Sequence, residues 1–231
     1  MNVLAIVPCY NEEHSLKDTV ENLKSNAATV DFVVVNDGSL DNTYQICVDN
    51  GYKVINIPYN LGLANAVQAG MRYAYNNGYD MALQFDGDGQ HLPGYILDMV
   101  TLMRNTSADI VVGSRYMLKS SISLRSFGGN LLRVAVKIVT GKTMTDPTSG
   151  MRLYNRKMID KFANHMNHGP EPDTLAFLIR RGAILHELPV EMQDRKAGKS
   201  YFSGLVAVNY MLRMFVSILL IQWFRAKEKD I

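Results

Sequence analysis

The sequence predicts an α/β fold in which helices flank a mostly parallel central sheet. Three observations predict it. Short continuous apolar runs such as Val3-Leu4-Ala5-Ile6-Val7 recur, as strands buried on both faces of a parallel sheet do. Helical patterns follow them one by one, and such alternation implies right-handed crossovers between parallel strands. Each run ends in polar and turn-forming residues, at the strand end where ligands of such sheets sit.

Taken in order, Val3 to Val7 is the first strand, ended by Pro8-Cys9-Tyr10-Asn11-Glu12-Glu13, and Ser15 to Leu23 reads as an amphipathic helix. Phe32 to Val35 is the second strand, Asn36-Asp37-Gly38-Ser39 its turn, and Asp41 the expected N-cap of a helix over Asn42 to Asn50. Lys53 to Ile57 follows, then Asn60-Leu61-Gly62-Leu63 and a helix to about Tyr75. Met81 to Phe85 is the fourth strand and Asp109 to Val112 the fifth, with a helix after Pro93-Gly94 between them. Beyond Arg115 the pattern loosens. A helix is expected over Arg125 to Val139, a turn at Asp146-Pro147-Thr148-Ser149-Gly150, a short strand at Met151 to Tyr154 and a helix over Arg156 to Phe162. Asp173 or Thr174 is expected to cap another helix ending at Gly182, before a last strand over Ala183 to Val190 and a basic loop, Arg195 to Ser200.

A chain of 231 residues, 47% hydrophobic, can bury one large core or one domain with a small appendage. A net charge of +2 gives no reason to expect nucleic acid as a partner. Cys9 and Cys47 show no metal spacing and read as free thiols of a reducing compartment. The first apolar run is too short for a signal peptide, and no segment has the uninterrupted length of a membrane span.

The densest chemistry lies in Gln84-Phe85-Asp86-Gly87-Asp88-Gly89-Gln90-His91, where the fourth strand ends. Two carboxylates one residue apart, with a glycine between them that permits an unusual backbone path, make a hard-oxygen site. Mg²⁺ or Mn²⁺ held by one or two carboxylates and a substrate's phosphates is the chemistry such a site supports. There is no Gly-x-Gly-x-x-Gly and no Gly-Lys-Ser/Thr loop, so Asp-x-Asp must supply most of the diphosphate binding through a metal. Asp37 and the Pro8–Glu12 loop are candidates for contacts to a base and ribose, with turn and cap chemistry as the competing reading for Asp37. His91 is expected to orient the loop through a hydrogen bond rather than to bind metal.

These residues carry a resemblance. Val7-Pro8-Cys9-Tyr10-Asn11-Glu12, Val35-Asn36-Asp37-Gly38-Ser39-x-Asp41-x-Thr43, Asn60-x-Gly62-x-x-x-Ala66 and Asp86-x-Asp88-x-Gln90-His91 resemble glycosyltransferase family 2, with its GT-A fold. Gly113-Ser114-Arg115, Asp146-Pro147-x-Ser149-Gly150 and Arg195-x-x-Gly198-x-Ser200 are similar to the dolichyl-phosphate mannose synthase-like branch, which moves a sugar from a nucleotide donor to a polyprenyl phosphate. The resemblance runs in order over nearly the whole chain. It implies that Pro8, Tyr10, Glu12 and Asp37 contact the nucleoside, beside the Gly62 loop, and that Asp86, Asp88 and Gln90 surround the metal and diphosphate. It also implies that Arg115, Arg125 and Arg195 face donor and acceptor phosphates, with Ser149 near the sugar. Two departures stand out: Asn36, where relatives usually carry a second Asp, and Glu171-Pro172-Asp173, which bears on the identity of the sugar.

An acceptor hydroxyl needs a general base, whereas a phosphate monoester is anionic near neutral pH, its second pKa being about 6. It needs cations instead, and Arg115, Arg125, Arg133, Arg195 and Lys199 supply them. For Arg133 a solvated basic face is the expected role. The expected reaction is one in-line displacement with inversion, transferring glucose or N-acetylglucosamine, or mannose, with a UDP-sugar preferred as donor. The alternatives are transfer to a sugar hydroxyl, with Asp146, Glu171 or Asp173 as base, and a regulatory module that binds a sugar nucleotide without turnover.

The catalytic domain is expected to span residues 1–202 and a C-terminal helical segment residues 203–231. Phe202, Leu205, Val206, Met211, Phe215, Ile218, Leu219 and Trp223 give that segment an apolar character, and Arg225, Lys227 and Lys229 follow. An interfacial helix on a membrane surface fits this pattern, as does a helix packed on the core or in a homo-oligomer. The expected location is the cytoplasmic face of the cell membrane, with the chain peripheral. Many family members carry transmembrane helices after this point, so a separate small membrane-protein partner is a further expectation.

Overall fold

A computed structural model describes residues 2–117, 124–165, 169–194 and 204–220, with the side chains of 124–128 and 204–207 left aside. Among the described residues seven strands form one sheet: β1 (Val3–Cys9), β2 (Asp31–Asp37), β3 (Val54–Ile57), β4 (Met81–Gln84), β5 (Ile110–Ser114), β6 (Arg152–Asn155) and β7 (Leu185–Pro189). Their order across the sheet is β3-β2-β1-β4-β6-β5-β7. All neighbouring pairs are parallel except those of β6, which runs antiparallel to both β4 and β5.

Among the described residues eight α-helices accompany them: α1 (Leu16–Asn26), α2 (Thr43–Asp49), α3 (Leu63–Asn76), α4 (Ile96–Thr106), α5 (Leu124–Thr140), α6 (Arg156–Asp160), α7 (Pro172–Arg180) and α8 (Gly204–Leu219). Because successive strand residues face opposite ways, β1 feeds two cores at once. Leu4 and Ile6 join Val67 and Met71 of α3, Leu132 and Val136 of α5, Leu178 of α7 and Ile218 of α8. Val3, Ala5 and Val7 join Leu16 and Val20 of α1, Cys47 of α2 and Met99 and Met103 of α4. The result is a sheet with a helical layer on each face. Continuous apolar runs follow directly from that burial.

Two helix starts differ from the sequence expectation. The cap of α2 is Asn42 rather than Asp41, whose Oδ1 accepts from Thr43 N at 2.9 Å and whose Oδ2 accepts from Glu13 N at 3.1 Å. Helix α7 starts earlier than Asp173 or Thr174 would allow: Glu171 is its cap and Pro172 its first residue. Proline suits that position because its missing N–H would have no intrahelical partner. The helix expected over Arg156 to Phe162 is α6 followed by a π-turn over Lys161–His165.

The chain turns to β2 and β3 on one side of β1 and places β4 on the other. The crevice outside the C-terminal ends of β1 and β4 is therefore the topological switch point, the usual ligand position in open α/β sheets.

Candidate functional site

Two loops flank that crevice. After β1, residues 10–13 are stitched to the loop after β2: Asn11 N donates to Ser39 Oγ (3.0 Å), Leu40 N to Asn11 Oδ1 (2.8 Å) and Glu12 N to Thr43 Oγ1 (2.8 Å). Pro8 is buried, Tyr10 is 42% exposed at the mouth, and Glu12 Oε2 accepts from the buried Ser15 hydroxyl at 2.6 Å. The same hydroxyl lies 3.0 Å from the carbonyl of Gly87, so the two loops share a buried polar hinge point. Gly87 has no room for a side chain, since a Cβ there would lie 2.4 Å from Cys9 Sγ.

Asp37 is buried and both its oxygens are engaged: Oδ1 accepts from Leu61 N at 2.9 Å and Oδ2 from Gly62 N at 2.8 Å. It closes the loop that opens α3, whose cap, Gly62, holds φ +87°, a region that favours glycine. Asn36 turns its amide to Asn56 Oδ1 at 2.7 Å.

At the end of β4, three contacts set Asp86. Its N–H donates to His91 Nδ1 at 2.9 Å, its Oδ1 accepts from Gln84 Nε2 at 3.0 Å, and its Oδ2 lies 3.7 Å from His91 Nε2. With Nδ1 accepting, His91 acts on the loop's shape, as the sequence reading expects. Asp88 is 5% exposed and its Oδ1 accepts from Gln90 N at 3.1 Å. Gln90 O accepts from Gln193 N at 3.0 Å, and His91 bridges to Met192, so the segment before the basic loop lies on the Asp-x-Asp turn. The side chain of Gln90 faces Gln193 O, 3.5 Å away.

Among the described residues no cluster of three or more His, Cys, Asp or Glu gathers as a metal cage. Two carboxylates alone suit Mg²⁺ or Mn²⁺, which keep waters and substrate phosphates as further ligands. Among the described residues Asp86 Oδ2 receives no hydrogen bond, His91 Nε2 lying 3.7 Å away, and Gly150 beside it carries no side chain to cover it. The donor set fits such a cation.

Arg115, just past β5, is not a lone cation. Its Nε and Nη2 donate to Asp146 Oδ2 (2.7 Å) and Oδ1 (2.8 Å), and Nη2 also donates to Thr148 Oγ1 (2.8 Å). Asp146 is fully buried, and its backbone is held by Glu187 on β7, whose Oε1 accepts from Asp146 N at 2.8 Å. Burial opposes the Arg115 charge, but Asp146 more than offsets this and holds the pKa above its ordinary value. Among the described residues the clamp uses Nε and Nη2 and leaves the Nη1 edge of a side chain that is one-third exposed. Ser149 is fully buried, with Oγ accepting from Met151 N at 3.3 Å.

The other carboxylates of this half are also engaged. Glu171 accepts from the Tyr210 hydroxyl of α8, and Asp173 Oδ2 accepts from Ser217 Oγ at 2.6 Å. These two contacts, with buried Met214 and Ile218, seat α8 on α7 and the core. Sequence reasoning assigned no role to Gln84, although it heads the stretch singled out, and none to Arg152. Arg152 is 2% exposed and donates to Ser149 O (2.7 Å), Pro147 O (3.0 Å) and Pro170 O (2.5 Å), fixing the 147–150 loop. A polar residue inside a run expected to be buried on both faces was the available signal for each. Arg195 and Lys199 and the side chain of Arg125 lie outside the described residues.

Comparison with known proteins identifies relatives of this chain. Undecaprenyl-phosphate mannosyltransferase of Micrococcus luteus is 31% identical over 220 residues, 88% of each chain. UDP-N-acetylglucosamine–dolichyl-phosphate N-acetylglucosaminyltransferase of Methanococcus voltae is 33% identical, covering 68% of this chain and 70% of the relative. Glucosyl-3-phosphoglycerate synthase from Mycobacterium tuberculosis, solved with Mn²⁺, UDP-glucose and phosphoglyceric acid, superposes with a TM-score of 0.73 at 14% identity, over 98% of this chain and 81% of that one. At that identity the likeness speaks for the fold, which is GT-A. The model of glycosyl transferase family 2 matches residues 4–162, from β1 through both strand-end loops and the Arg115–Asp146 clamp to the end of β6 and beyond. The chain belongs to glycosyl transferase family 2 and is a glycosyltransferase.

Proposed function

We propose that the chain moves a sugar, glucose or N-acetylglucosamine from a UDP donor, to a polyprenyl phosphate, with inversion. One observation carries the choice of acceptor. The three carboxylates that could serve a hydroxyl acceptor as base are committed: Asp146 to Arg115, Glu171 to Tyr210 and Asp173 to Ser217. A phosphate acceptor needs no base. The relatives' names, which specify undecaprenyl and dolichyl phosphates, support the same reading.

Asp86 and Asp88, with Gln90 beside them, would hold Mg²⁺ or Mn²⁺, which supplies positive charge to the leaving nucleoside diphosphate. Pro8, Tyr10, Glu12 and Asp37 border the nucleoside beside the Gly62 loop, with Tyr10 at the mouth. Ser149 and its loop border the sugar. Arg115 presents its Nη1 edge to a phosphate, and Arg125, Arg195 and Lys199 supply further cations. An acceptor phosphate oxygen attacks the anomeric carbon as the bond to the diphosphate breaks, and the electron pair leaves with the diphosphate.

We assign the membrane contact to the outer faces of α5 and α8, with the chain peripheral on the cytoplasmic leaflet and residues 203–231 serving as its attachment segment. No helix among the described residues is long and apolar enough to cross a membrane. Val134 and Ile138 of α5, and Val208, Leu212 and Val216 of α8 with Leu220 after it, are all exposed on helices that bury their other faces in one core. The exposed Lys137 and Arg213 lie beside them, the arrangement of an interfacial surface, while Arg133, expected on a solvated face, instead stacks its guanidinium 4.7 Å from the Tyr116 ring centroid. Flotation with vesicles that contain anionic lipid would support this. A homodimer that excludes vesicles would assign the face to a second copy instead. Activity only in the presence of a co-purifying membrane protein would add that partner.

The test of function is turnover by the purified chain with Mg²⁺ or Mn²⁺, undecaprenyl phosphate in detergent, and UDP-glucose, UDP-N-acetylglucosamine or GDP-mannose. Metal-dependent product in the lipid phase from a UDP donor is expected. Product from GDP-mannose alone would overturn the choice of sugar. A donor that is bound but never transferred to the lipid phosphate would overturn the acceptor.

A further inference from the structure

Gln84 ends β4, two residues before Asp86, and is 1% exposed. Its Nε2 donates to Asp86 Oδ1, while its Oε1 is buried with no hydrogen-bond partner among the described residues. Turning the amide over would not help, because it would set a carbonyl oxygen against a carboxylate oxygen, two acceptors face to face. A buried acceptor left unpaired lowers stability, and an apolar side chain of similar length would remove that cost. For folding alone, then, glutamine is a poor choice here.

The surroundings show what it achieves. Gln84 lies opposite Arg152 in the β4–β6 ladder, and directly opposed residues share a face of the sheet. Arg152 fixes the 147–150 loop from below. Gly150 of that loop is so close that a Cβ would lie 2.7 Å from Asp86 Oδ2 and 3.5 Å from Gln84 Nε2. The Asp86 carboxylate is thus gripped at Oδ1 by Gln84 and bordered at Oδ2 by a bare glycine.

We infer that Gln84 is a positioning residue for cation binding: its amide holds Oδ1 of Asp86 so that Oδ2 is left for the divalent cation. This rests on the proposed reading of Asp86 as a cation ligand. It accounts for a residue that works against stability at the buried end of a core strand.

The test is Gln84→Met, which keeps the length and removes both the N–H donor and the unpaired oxygen. Mn²⁺ would be titrated into the full chain in the presence of UDP and followed by electron paramagnetic resonance, with thermal unfolding measured separately without metal. The expected result is Mn²⁺ affinity about tenfold weaker, the scale of one charge-assisted hydrogen bond, with a Tm equal to or above that of the parent. A structural role would move both quantities down together. Gln84→Leu is the second variant, and a Tm lower by about 5 °C or more in both would make Gln84 structural and overturn the inference. Asp86→Asn separates the two levels. If Asp86→Asn loses Mn²⁺ while Gln84→Met binds it as the parent does, the positioning role falls and the reading of Asp86 stands. If Asp86→Asn also binds Mn²⁺ normally, both fall.

Discussion

Gly150→Ala presses on Asp86 from the side opposite Gln84. The added Cβ would lie 2.7 Å from Oδ2 and 3.5 Å from Cγ of Asp86, and real Cβ atoms essentially never come within 3.0 Å of a neighbour. Gly150 is not among the residues with positive φ, so alanine suits its backbone. The carboxylate, as the free end of a side chain, is what yields, by a few tenths of an ångström or by changing rotamer. Such a shift should cost the fold only about 1 kcal/mol, or roughly 2–4 °C in Tm for a chain of this size. Catalysis is less tolerant, since productive geometry is held to within about 0.5 Å. A displacement approaching 1 Å can cost about a hundredfold. The expected kcat/KM is therefore about 10- to 100-fold below the parent, or about 1.4–2.7 kcal/mol of lost transition-state stabilisation. The assay is transfer of labelled sugar to undecaprenyl phosphate over a range of Mn²⁺, with unfolding measured on the same preparations. Gly94→Ala is the control: nothing lies within 4 Å of its added Cβ, and its rate should stay within about twofold of the parent. A Gly150→Ala enzyme with parental kcat/KM, or one that loses stability as steeply as activity, would refute the reasoning.

Two further outcomes are expected. Arg115→Met leaves Asp146 buried without its partner and should destabilise by about 2–3 kcal/mol, below the usual range for a buried pair because the arginine is one-third exposed. Adding Asp146→Asn should recover much of that stability in urea titrations but none of the activity; recovery of both would reduce Arg115 to a structural role. Cys9 and Cys47 are buried, and burial pushes both thiols up, Cys47 to about 11 from an ordinary value of 9.0. The unfolded chain therefore loses these protons first, so stability should be fully present below pH 9 and decline as pH rises toward 11. Unfolding midpoints measured across that range check the sign, and Cys47→Ala should flatten the decline.

The sheet and its strand-end loops were legible because burial on both faces leaves the same mark, a continuous apolar run, wherever it occurs. Leu4 and Ile6 enter one core and Val3, Ala5 and Val7 the other, so no polar position interrupts β1. The turn at Asp86–His91 was legible because glycines and polar residues follow an apolar run there. Partnerships across long separations were not. Asp146 read as a turn residue or a base because nothing local marks it as the counter-ion of Arg115, 31 residues away. Glu171 and Asp173 stood apart as a departure, and their partners, Tyr210 and Ser217, lie some 40 residues further on in an apolar helix. The orientation of β6 was hidden as well. A four-residue strand that contains a buried arginine carries no periodic signal to give its direction.

The position of β6 bears on how the chain is made. It lies between β4 and β5, yet it is synthesised after both. While the ribosome is still short of residue 155, β4 and β5 each present an unpaired hydrogen-bonding edge bearing apolar side chains. A nascent chain in that interval is a natural client for chaperones, and one halted there would aggregate rather than work at reduced efficiency. The same late strand carries Arg152, so the sheet gains its missing neighbour and the site its loop anchor at one moment of synthesis.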